Sequence, residues 1–219
     1  MRLYLVRHGE TQRNRDRLVQ GGSNSDGLTE LGMLQAAAAA RALAGLGITA
    51  LFTSTVPRAV ETCRLVGEAL GIPPELAPGL EELDTGVLDG LTSQEMRTQY
   101  PDFMAQWDRD AGAARLPGGE TMLEVQARAW SAIEDIVRRH PEGTAAVVSH
   151  NFTICTLVCK ALDLPIAGFR RFRVDLGSIS ALELAPQRPR LLLLNSTFHL
   201  ASLESGAPHQ PGARGEGQG

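Results

Sequence analysis

The sequence predicts an α/β protein, a three-layer α/β/α sandwich with a mostly parallel central sheet. Short apolar runs with β-favouring residues alternate along the 219-residue chain with longer helical segments, and this alternation favours a parallel sheet covered on both faces. Hydrophobic residues make up 43% and charged residues 21% of the chain, which is the balance of a globular protein. Several apolar runs end in polar residues, as expected of strands that lead to a ligand site.

Strand ends and helix caps define the elements of the N-terminal half. The first apolar run ends at Arg7 and His8, and Gly9 permits a sharp exit from the strand. Thr29 is suited to cap a helix and Pro57 to begin one. The predicted elements, in order, are a strand over residues 2–6, a loop over 14–27, a helix over 30–46, a strand over 50–53 and a helix over 57–70.

The C-terminal half follows a less regular region. Residues of about 73–119 are predicted to form an inserted region with two short helices and a Pro-Gly-Gly turn. Beyond it, an apolar stripe that includes Val125, Ala129 and Ile133 predicts an amphipathic helix. The elements predicted there are a helix over 120–140, a strand over 144–148, a helix up to about residue 162, and strands over 179–184 and 190–194.

The domain organisation follows from composition. We expect a single domain over residues 1–204, since its length suits one substantial core and no internal repeat is evident. Residues 205–219 contain five glycines and two prolines but no large aliphatic residue. We therefore expect this tail to be disordered.

Charge, hydropathy and cysteine usage exclude several functional classes. A net charge of −4 and a pI near 5.8 argue against a nucleic-acid binder that relies on bulk electrostatics. No apolar run approaches the roughly 18 residues of a membrane-spanning helix, and the first ten residues turn charged too soon for a secretory signal. We therefore expect a cytoplasmic protein that binds neither nucleic acid nor membrane.

The three cysteines are expected to be buried thiols. Cys63, Cys155 and Cys159 form no CxxC pair and are odd in number, which argues against a disulfide framework. Cys155 and Cys159 are one helical turn apart and could share a metal ion with a histidine, but buried small apolar side chains are the expected role.

Three predicted strands end in polar clusters that point to phosphate chemistry. These clusters are Arg7-His8, Ser54 with Arg58 just beyond it, and Ser149-His150. A neutral imidazole is a good nucleophile near pH 7, and guanidinium groups bind phosphate oxygens in a bidentate way. A carboxylic acid must then protonate the leaving alkoxide, and Glu82 is the candidate.

These motifs resemble the histidine phosphatase superfamily, also called the phosphoglycerate mutase-like family, in its bacterial-type phosphatase branch. The resemblance covers residues 2 to about 200 and includes Asn14, Gln20 and Gly21. It implies a phosphoglycerate mutase-like fold. The matching blocks are LVRHGET at 5–11, LTELGMLQA at 28–36, TSTVPRAVET at 53–62, LEELDTGVLDGLT at 80–92, PGGET at 117–121 and VVSHN at 147–151.

The resemblance also implies roles for the residues in these blocks. His8 would be the phosphorylated nucleophile, attacking through Nε2 while a backbone carbonyl holds Nδ1–H. Arg7, Arg58 and His150 would complete the phosphate pocket, and Glu82 would act as general acid and then as general base. The family pattern implies neither a metal ion nor another cofactor. Further substrate contacts are expected from Asn14, Gln20, Gly21 and Asn151.

Two of these assignments have alternatives. Glu81 and Asp84 lie close to Glu82, so a shift of one or two residues would transfer the role of the acid. For Asn14, Gln20 and Gly21 the alternative role is only to build a turn. The arginines at positions 13, 15 and 17 could form a basic rim, although a solvated loop is the expected arrangement.

The sequence also departs from the family pattern at two places. Many members have glycine after the second histidine, where this chain has Asn151 followed by Phe152. In the block after the acid, Leu88 replaces the usual tryptophan and Asp89 the usual acidic residue. These changes leave the chemistry intact but leave the substrate open.

The expected activity is that of a phosphoric monoester hydrolase of the histidine acid phosphatase type, acting on a small phosphorylated metabolite. The first alternative is a mutase of the phosphoglycerate type. Only about 25 residues separate Thr92 from Pro117, and the shorter insertion favours hydrolysis. The second alternative is an inactive member that binds a phosphorylated ligand. The resemblance also allows a homodimer.

Overall fold

A mixed sheet forms the middle layer of the molecule in the computed structural model, which describes residues 1–22, 26–185 and 188–204. In these residues the sheet has six strands, in the order β3-β2-β4-β1-β5-β6. The strands are β1 (Arg2–Arg7), β2 (Ala50–Thr53), β3 (Pro74–Leu76), β4 (Thr144–Ser149), β5 (Ile179–Glu183) and β6 (Arg190–Ser196).

Parallel pairing brings the carboxyl ends of three strands to one edge of the sheet. β1 pairs in parallel with β4, and β4 with β2, whereas β5 and β6 pair in an antiparallel manner. Val148 of β4 lies opposite Val6 of β1 on one side and Thr53 of β2 on the other. The residues that follow these strands therefore meet at one edge.

Helices cover both faces of this sheet. α2 and α3 cover one face, and α6 and α7 the other. The helices of the described residues are α1 (Gln12–Arg15), α2 (Glu30–Leu43), α3 (Pro57–Leu70), α4 (Ser93–Gln99), α5 (Pro101–Arg109), α6 (Met122–Arg139), α7 (Asn151–Ala161) and α8 (Ala201–Glu204). Short 3-10 helices span Gly86–Leu88, Ile166–Arg171 and Phe198–Leu200. The predicted α/β fold with a mostly parallel sheet is confirmed.

Two apolar cores, one on each face, follow from the alternation of side chains along β1. Leu3 and Leu5 pack in a cluster with residues of α6 and α7, whereas Tyr4 and Val6 pack with residues of α2 and α3. Because successive side chains of a strand point to opposite faces, four consecutive buried apolar residues serve both cores.

A third apolar cluster lies under the inserted region. It joins Leu83 and Leu88 to Phe103 of α5 and to Met122 and Val125 of α6. The two short helices predicted for this region are α4 and α5. Their apolar side chains therefore give the region a core of its own, beside the edge where β1, β2 and β4 end.

The element boundaries differ from the predictions at a few places. The helix predicted over 30–46 ends at Leu43, and Gly45 and Gly47 follow it with positive φ angles of 79° and 70°, which are unsuited to a right-handed helix. β3 was not predicted, because it is a three-residue edge strand with exposed side chains. The tail predicted to be disordered, residues 205–219, lies outside the described residues.

None of the helices in the described part of the chain has the length and apolar character needed to cross a membrane. Cys63, Cys155 and Cys159 are free and buried.

Two glycines let α2 approach the turn after β1 closely. A Cβ at Gly32 would lie 2.2 Å from the carbonyl oxygen of Glu10, and a Cβ at Gly9 would lie 2.3 Å from the carbonyl oxygen of Gly32. Both contacts are with backbone atoms, which cannot move aside as a flexible side chain would. The position of residues 8–10 therefore depends on the absence of a side chain at Gly9 and at Gly32, which lie against each other.

We predict that Gly32→Ala destabilises the protein by about 1–3 kcal/mol, because the added methyl group must push the turn away from α2. The preference of helices for alanine acts in the opposite direction. Urea unfolding measures the change. Gly168→Ala is the control, since its Cβ would have no neighbour nearer than 3.5 Å. Equal stability of Gly32→Ala and the wild type would contradict this packing.

Candidate active site

The candidate site lies at the edge where β1, β2 and β4 end. The backbone N–H of His8 donates to the carbonyl of Ser149 at 3.0 Å, and that of Ser54 donates to the carbonyl of Val148 at 3.0 Å. The sheet ladder thus continues one residue beyond the strands. It brings His8, Ser54 and His150 together, as the three polar strand ends predicted.

The two imidazole rings are buried side by side, with their centroids 5.1 Å apart. Nδ1 of His8 lies 2.7 Å from the carbonyl oxygen of Gly9. Because a carbonyl only accepts hydrogen bonds, Nδ1 carries the proton, and Nε2 keeps its lone pair. That Nε2 accepts a hydrogen bond from Nε of Arg58 at 3.1 Å. In the second ring, Nε2 of His150 lies 2.8 Å from the hydroxyl oxygen of Ser54.

Buried nitrogen atoms without hydrogen-bond partners lie around these rings. Arg7 donates through Nη1 to the carbonyl of Val174 at 2.8 Å, and Arg58 donates through Nη2 to the carbonyl of Gly21 at 3.1 Å. Among the described residues, Nε of Arg7, Nη1 of Arg58 and Nδ1 of His150 are buried without a hydrogen-bond partner. Unsatisfied buried donors are costly, so this group is suited to an anion with several acceptor oxygens.

Burial and positive charge set the protonation states. Burial lowers the pKa of His8 well below its ordinary value, and the charges of Arg58 and Arg7 lower it further. Burial also lowers the pKa of His150 well below its ordinary value, and the positive charge of Arg58 lowers it further. Burial also lowers the pKa of Arg58 to about 10, which leaves it charged at neutral pH. The site therefore combines neutral imidazoles with cationic guanidinium groups.

Glu82 lies against this pocket with its carboxylate held by backbone groups. The side chain is buried, and its two oxygens accept hydrogen bonds from the N–H groups of Leu83 at 2.9 Å and Phe152 at 3.2 Å. Among the charges that act on Arg7 and on Arg58, the carboxylate of Glu82 raises the pKa most in each case. Of the acidic groups that act on these two arginines, Glu82 therefore has the largest electrostatic effect on both.

The two alternative acids are engaged elsewhere. Glu81 accepts hydrogen bonds from the hydroxyl of Thr55 at 2.7 Å and from the N–H of Gly79 at 2.8 Å. Asp84 accepts a hydrogen bond from the N–H of Gly86 at 3.0 Å within its own turn. The geometry therefore favours Glu82 over Glu81 and Asp84.

Arg128 of α6 holds the acid-bearing loop and was missed by sequence reasoning. Its guanidinium group donates to the backbone carbonyls of Gly79, Glu81 and Glu82 at 2.8–3.0 Å. It also binds the carboxylate of Glu120, which accepts a hydrogen bond from the N–H of Asp84. Because most of these partners are backbone carbonyls, no sequence motif marks this residue.

The turn after β1 places the next three predicted residues. Asn14 accepts hydrogen bonds through Oδ1 from the N–H and the hydroxyl of Thr11, and so completes the capping box of α1, whose N-cap is Thr11. The amide oxygen of Gln20 accepts from the same hydroxyl at 3.0 Å. Gly21 contacts the site directly, since its carbonyl binds Arg58 and its N–H donates to Asp89 at 2.8 Å. Asn14 and Gln20 thus have turn-building contacts.

Asn151 lies beside the site as the first residue of α7, directly after His150. It is half-buried and lines a cavity of about 260 Å³ together with Phe172 and Asp175. Its predicted contact with substrate stays a prediction.

Sequence reasoning missed two further polar residues at the site. Thr62 accepts a hydrogen bond from the N–H of Gly9 at 3.1 Å and donates to the carbonyl of Arg58 at 2.8 Å. Asp89 joins the turn at Gly21 to the acid-bearing block. Thr62 could have been found from the sequence, because it lies one helical turn after Arg58. Asp89 could not, because its partner Gly21 is far from it in sequence.

Cys155 and Cys159 lie one turn apart on α7 and have the properties of buried thiols. Burial raises the pKa of Cys155 to about 12 and that of Cys159 to about 11, which disfavours the thiolate that a metal ion needs. In the described ranges, 1–22, 26–185 and 188–204, no three His, Cys, Asp or Glu residues are grouped so that they could hold a metal ion.

Comparison with known proteins identifies relatives over nearly the whole described chain. Residues 3–197 match the family model described as "Histidine phosphatase superfamily (branch 1)". A relative from Enterobacter sp. named "Probable phosphoglycerate mutase GpmB" is 36% identical over 184 residues, which are 84% of this chain and 85% of the relative.

Solved structures with the same fold include two phosphatases. The alpha-ribazole phosphatase from Shigella flexneri superimposes with a TM-score of 0.81 at 28% identity, over 90% of this chain and 96% of that one. A mycobacterial glucosyl-3-phosphoglycerate phosphatase, in complex with VO3, gives a TM-score of 0.81 at 29% identity, over 90% and 99% of the two chains. The chain is thus similar both to phosphatases and to a protein named as a mutase.

The lowered histidine pKa values predict a pH-dependent stability. In the unfolded chain His150 takes up a proton as the pH falls through about 6.5, whereas the folded chain keeps the ring neutral to a lower pH. The unfolded state then binds more protons, so the free energy of unfolding falls by up to about 1.4 kcal/mol per pH unit for this one ring. The loss begins near pH 6.5, above the range in which carboxylates titrate.

Urea unfolding at pH 7.5 and pH 5.5 tests this prediction in the wild type and in His150→Gln. The variant should show a smaller loss of stability between the two pH values, because its side chain does not titrate. Equal losses in the two proteins would show that burial does not keep the ring of His150 neutral.

Proposed function

This chain belongs to the histidine phosphatase superfamily, and from that we propose that it is a phosphomonoester hydrolase that works through a phosphohistidine, without a metal ion. The observation that carries the proposal is the buried imidazole of His8, whose Nε2 keeps a lone pair beside the guanidinium group of Arg58 at 3.1 Å. A neutral nucleophile next to fixed positive charge suits attack on a phosphate dianion. The substrate class is a small phosphorylated metabolite, and the compartment is the cytoplasm, in keeping with free thiols.

In the first half of the reaction, phosphate oxygens take the hydrogen bonds of Arg7, Arg58 and His150. This competes for Nε of Arg58 and frees the lone pair of His8. Nε2 then forms a bond to phosphorus as the bond between phosphorus and the alcohol oxygen breaks. Glu82, in its acid form, gives its proton to the leaving alkoxide, so the alcohol departs neutral. The pocket contributes mainly position and electrostatic stabilisation.

In the second half, Glu82 acts as a base. Its carboxylate takes a proton from water as the water oxygen bonds to phosphorus and the bond between phosphorus and Nε2 breaks. Inorganic phosphate leaves, His8 recovers its lone pair, and Glu82 recovers its proton. The backbone N–H groups of Leu83 and Phe152 hold the carboxylate in place during both steps. The two guanidinium groups provide the positive charge on which the proposed metal-free route depends.

The second candidate function is a mutase of the phosphoglycerate type, which the name of the Enterobacter relative favours. A mutase would return the phosphoryl group from His8 to a second hydroxyl of the substrate and would exclude water. The two activities share the first half of the reaction and differ only in the acceptor. The homodimer that the family resemblance allows stays a prediction.

Phosphate release from a panel of phosphomonoesters, in the presence of a chelator, tests the proposed activity. We predict turnover by the wild type and a loss of about 10⁴-fold or more in His8→Asn, since removal of a nucleophile removes the covalent route. His140→Asn, at the end of α6, is the control and should retain full activity. Turnover that persists in His8→Asn would remove His8 from the role of nucleophile.

The role of Glu82 predicts a dependence on the leaving group. Glu82→Gln should slow alkyl phosphates about 10²–10⁴-fold and slow aryl phosphates much less, because phenolate leaving groups need little protonation. Glu81→Gln is the matched control, because the carboxylate of Glu81 belongs to the adjacent residue and binds Thr55 and Gly79 instead. Equal losses on the two substrate classes in Glu82→Gln would assign the acid role to another group.

Phosphoglycerate separates hydrolase from mutase. With 3-phosphoglycerate and a bisphosphorylated primer, a hydrolase releases phosphate without isomerisation, whereas a mutase forms the 2-phospho isomer with little phosphate. We predict no primer-dependent isomerisation. Its appearance would reverse the ranking of the two functions.

A further inference from the structure

An apolar cavity of about 110 Å³ shares its wall with the catalytic acid. Leu83 and Phe152 line it, and these are the two residues whose N–H groups hold the carboxylate of Glu82. On its other side Val19 lines the cavity, two residues before Gly21, whose carbonyl binds Arg58. The cavity therefore lies beside the site, and Leu83 and Phe152 belong to both.

The lining of this cavity is almost wholly apolar. Phe103 and Trp107 of α5 and Met96 of α4 close the side away from Glu82. The one polar residue in the wall is Thr85, whose hydroxyl lies 3.5 Å from the carboxylate of Asp89. Apart from this hydroxyl, the wall consists of apolar and aromatic side chains, and burying a sugar hydroxyl or a carboxylate there without a hydrogen-bond partner would be unfavourable.

Arginines beside the cavity are already paired. Arg13 binds Asp26 and Asp89 at 2.9 and 2.6 Å. Arg170 donates to the carbonyl of Trp107 at 2.6 Å and lies over the ring of that residue. A carboxylated substrate would have to compete with these partners for a cation, so the surroundings do not favour phosphoglycerate-type esters.

The position of the acid decides which part of a substrate this cavity meets. A general acid must lie within hydrogen-bond reach of the leaving oxygen. The carbon skeleton attached to that oxygen then lies on the Glu82 side of the phosphate, against Leu83 and Phe152. An apolar lining at that place favours the binding of an apolar skeleton, because each buried methylene group removes hydrocarbon surface from water.

We propose that this cavity binds the apolar part of the leaving alcohol, so that the substrates are phosphate monoesters of small hydrophobic alcohols. The proposal rests on the proposed phosphatase function and specifies its substrate class. A cavity of about 150 Å³ can hold benzene, so this smaller one holds an alkyl chain of about four carbons or part of one ring. Sugar phosphates and phosphorylated carboxylic acids are correspondingly poor substrates.

Alkylphosphonates test the cavity without requiring turnover, because their carbon–phosphorus bond is not hydrolysed. Isothermal titration calorimetry with the full chain and the series from methyl- to butylphosphonate should show an affinity gain of about fourfold for each added methylene. Propylphosphonate should bind at least about tenfold more tightly than 3-phosphonopropionate, which has a carboxylate in place of the terminal methyl group. Equal affinities along the series, or tighter binding of the carboxylate, would overturn the proposal.

A pair of variants on one helix locates the effect. Met96→Trp fills the cavity from α4 and should lower the butyl-to-methyl affinity ratio at least about tenfold. Gln99→Trp adds the same ring to an exposed position of α4 and should leave the ratio unchanged. An unchanged ratio in folded Met96→Trp would place the alkyl chain elsewhere, and the wild-type series decides the question if that variant does not fold.

Hydrolysis of the matching alkyl phosphates separates failure of this inference from failure of the proposed function. Turnover without any preference for longer chains in the phosphonate series would keep the phosphatase and reject the cavity. A clear phosphonate preference without turnover of any ester would keep the cavity as a binding site and reject the phosphatase.

Discussion

The hydrogen bond between Nδ1 of His8 and the carbonyl of Gly9, 2.7 Å long, is the interaction on which the rest of the site depends. It places the ring proton on Nδ1 and leaves the lone pair on Nε2, the atom that attacks phosphorus in the proposed mechanism. Burial and the charges of Arg58 and Arg7 keep the ring neutral. Positive charge therefore serves two purposes here, since the groups suited to phosphate oxygens also disfavour protonation of the proposed nucleophile.

The fold is arranged to keep that bond in place. The turn at Gly9 is fixed by the hydroxyl of Thr62 and by the close approach of Gly32, and the ladder to Ser149 fixes the backbone of His8. On the opposite side Arg128 fixes the loop of Glu82 through backbone carbonyls. Two independent supports thus position the proposed nucleophile and the proposed acid. The apolar cavity lies in the wall that the loop of Glu82 shares with α5.

The sequence alone allowed prediction of the fold and of the grouping of most candidate site residues, because strand ends with polar residues are local features. His8, Arg58 and His150 each follow a strand or begin the helix after it, so parallel pairing was sufficient to bring them together. The contacts of Arg128 and the cavity against Phe152 could not be predicted, since they depend on how the inserted region packs on α6 and α7. Glu82 could be separated from Glu81 and Asp84 only when the hydrogen-bond partners of each carboxylate were known.

The protonation state of His8 is the property to be measured. Nitrogen-15 NMR of histidine-labelled protein, with the resonances of His8 assigned by their loss in His8→Asn, reports which ring nitrogen carries a proton. The account predicts a neutral ring with protonated Nδ1 and unprotonated Nε2 at pH 7, which stays neutral as the pH falls through the ordinary histidine pKa near 6.5. A ring that becomes an imidazolium near pH 6.5, or one that carries its proton on Nε2, would contradict it.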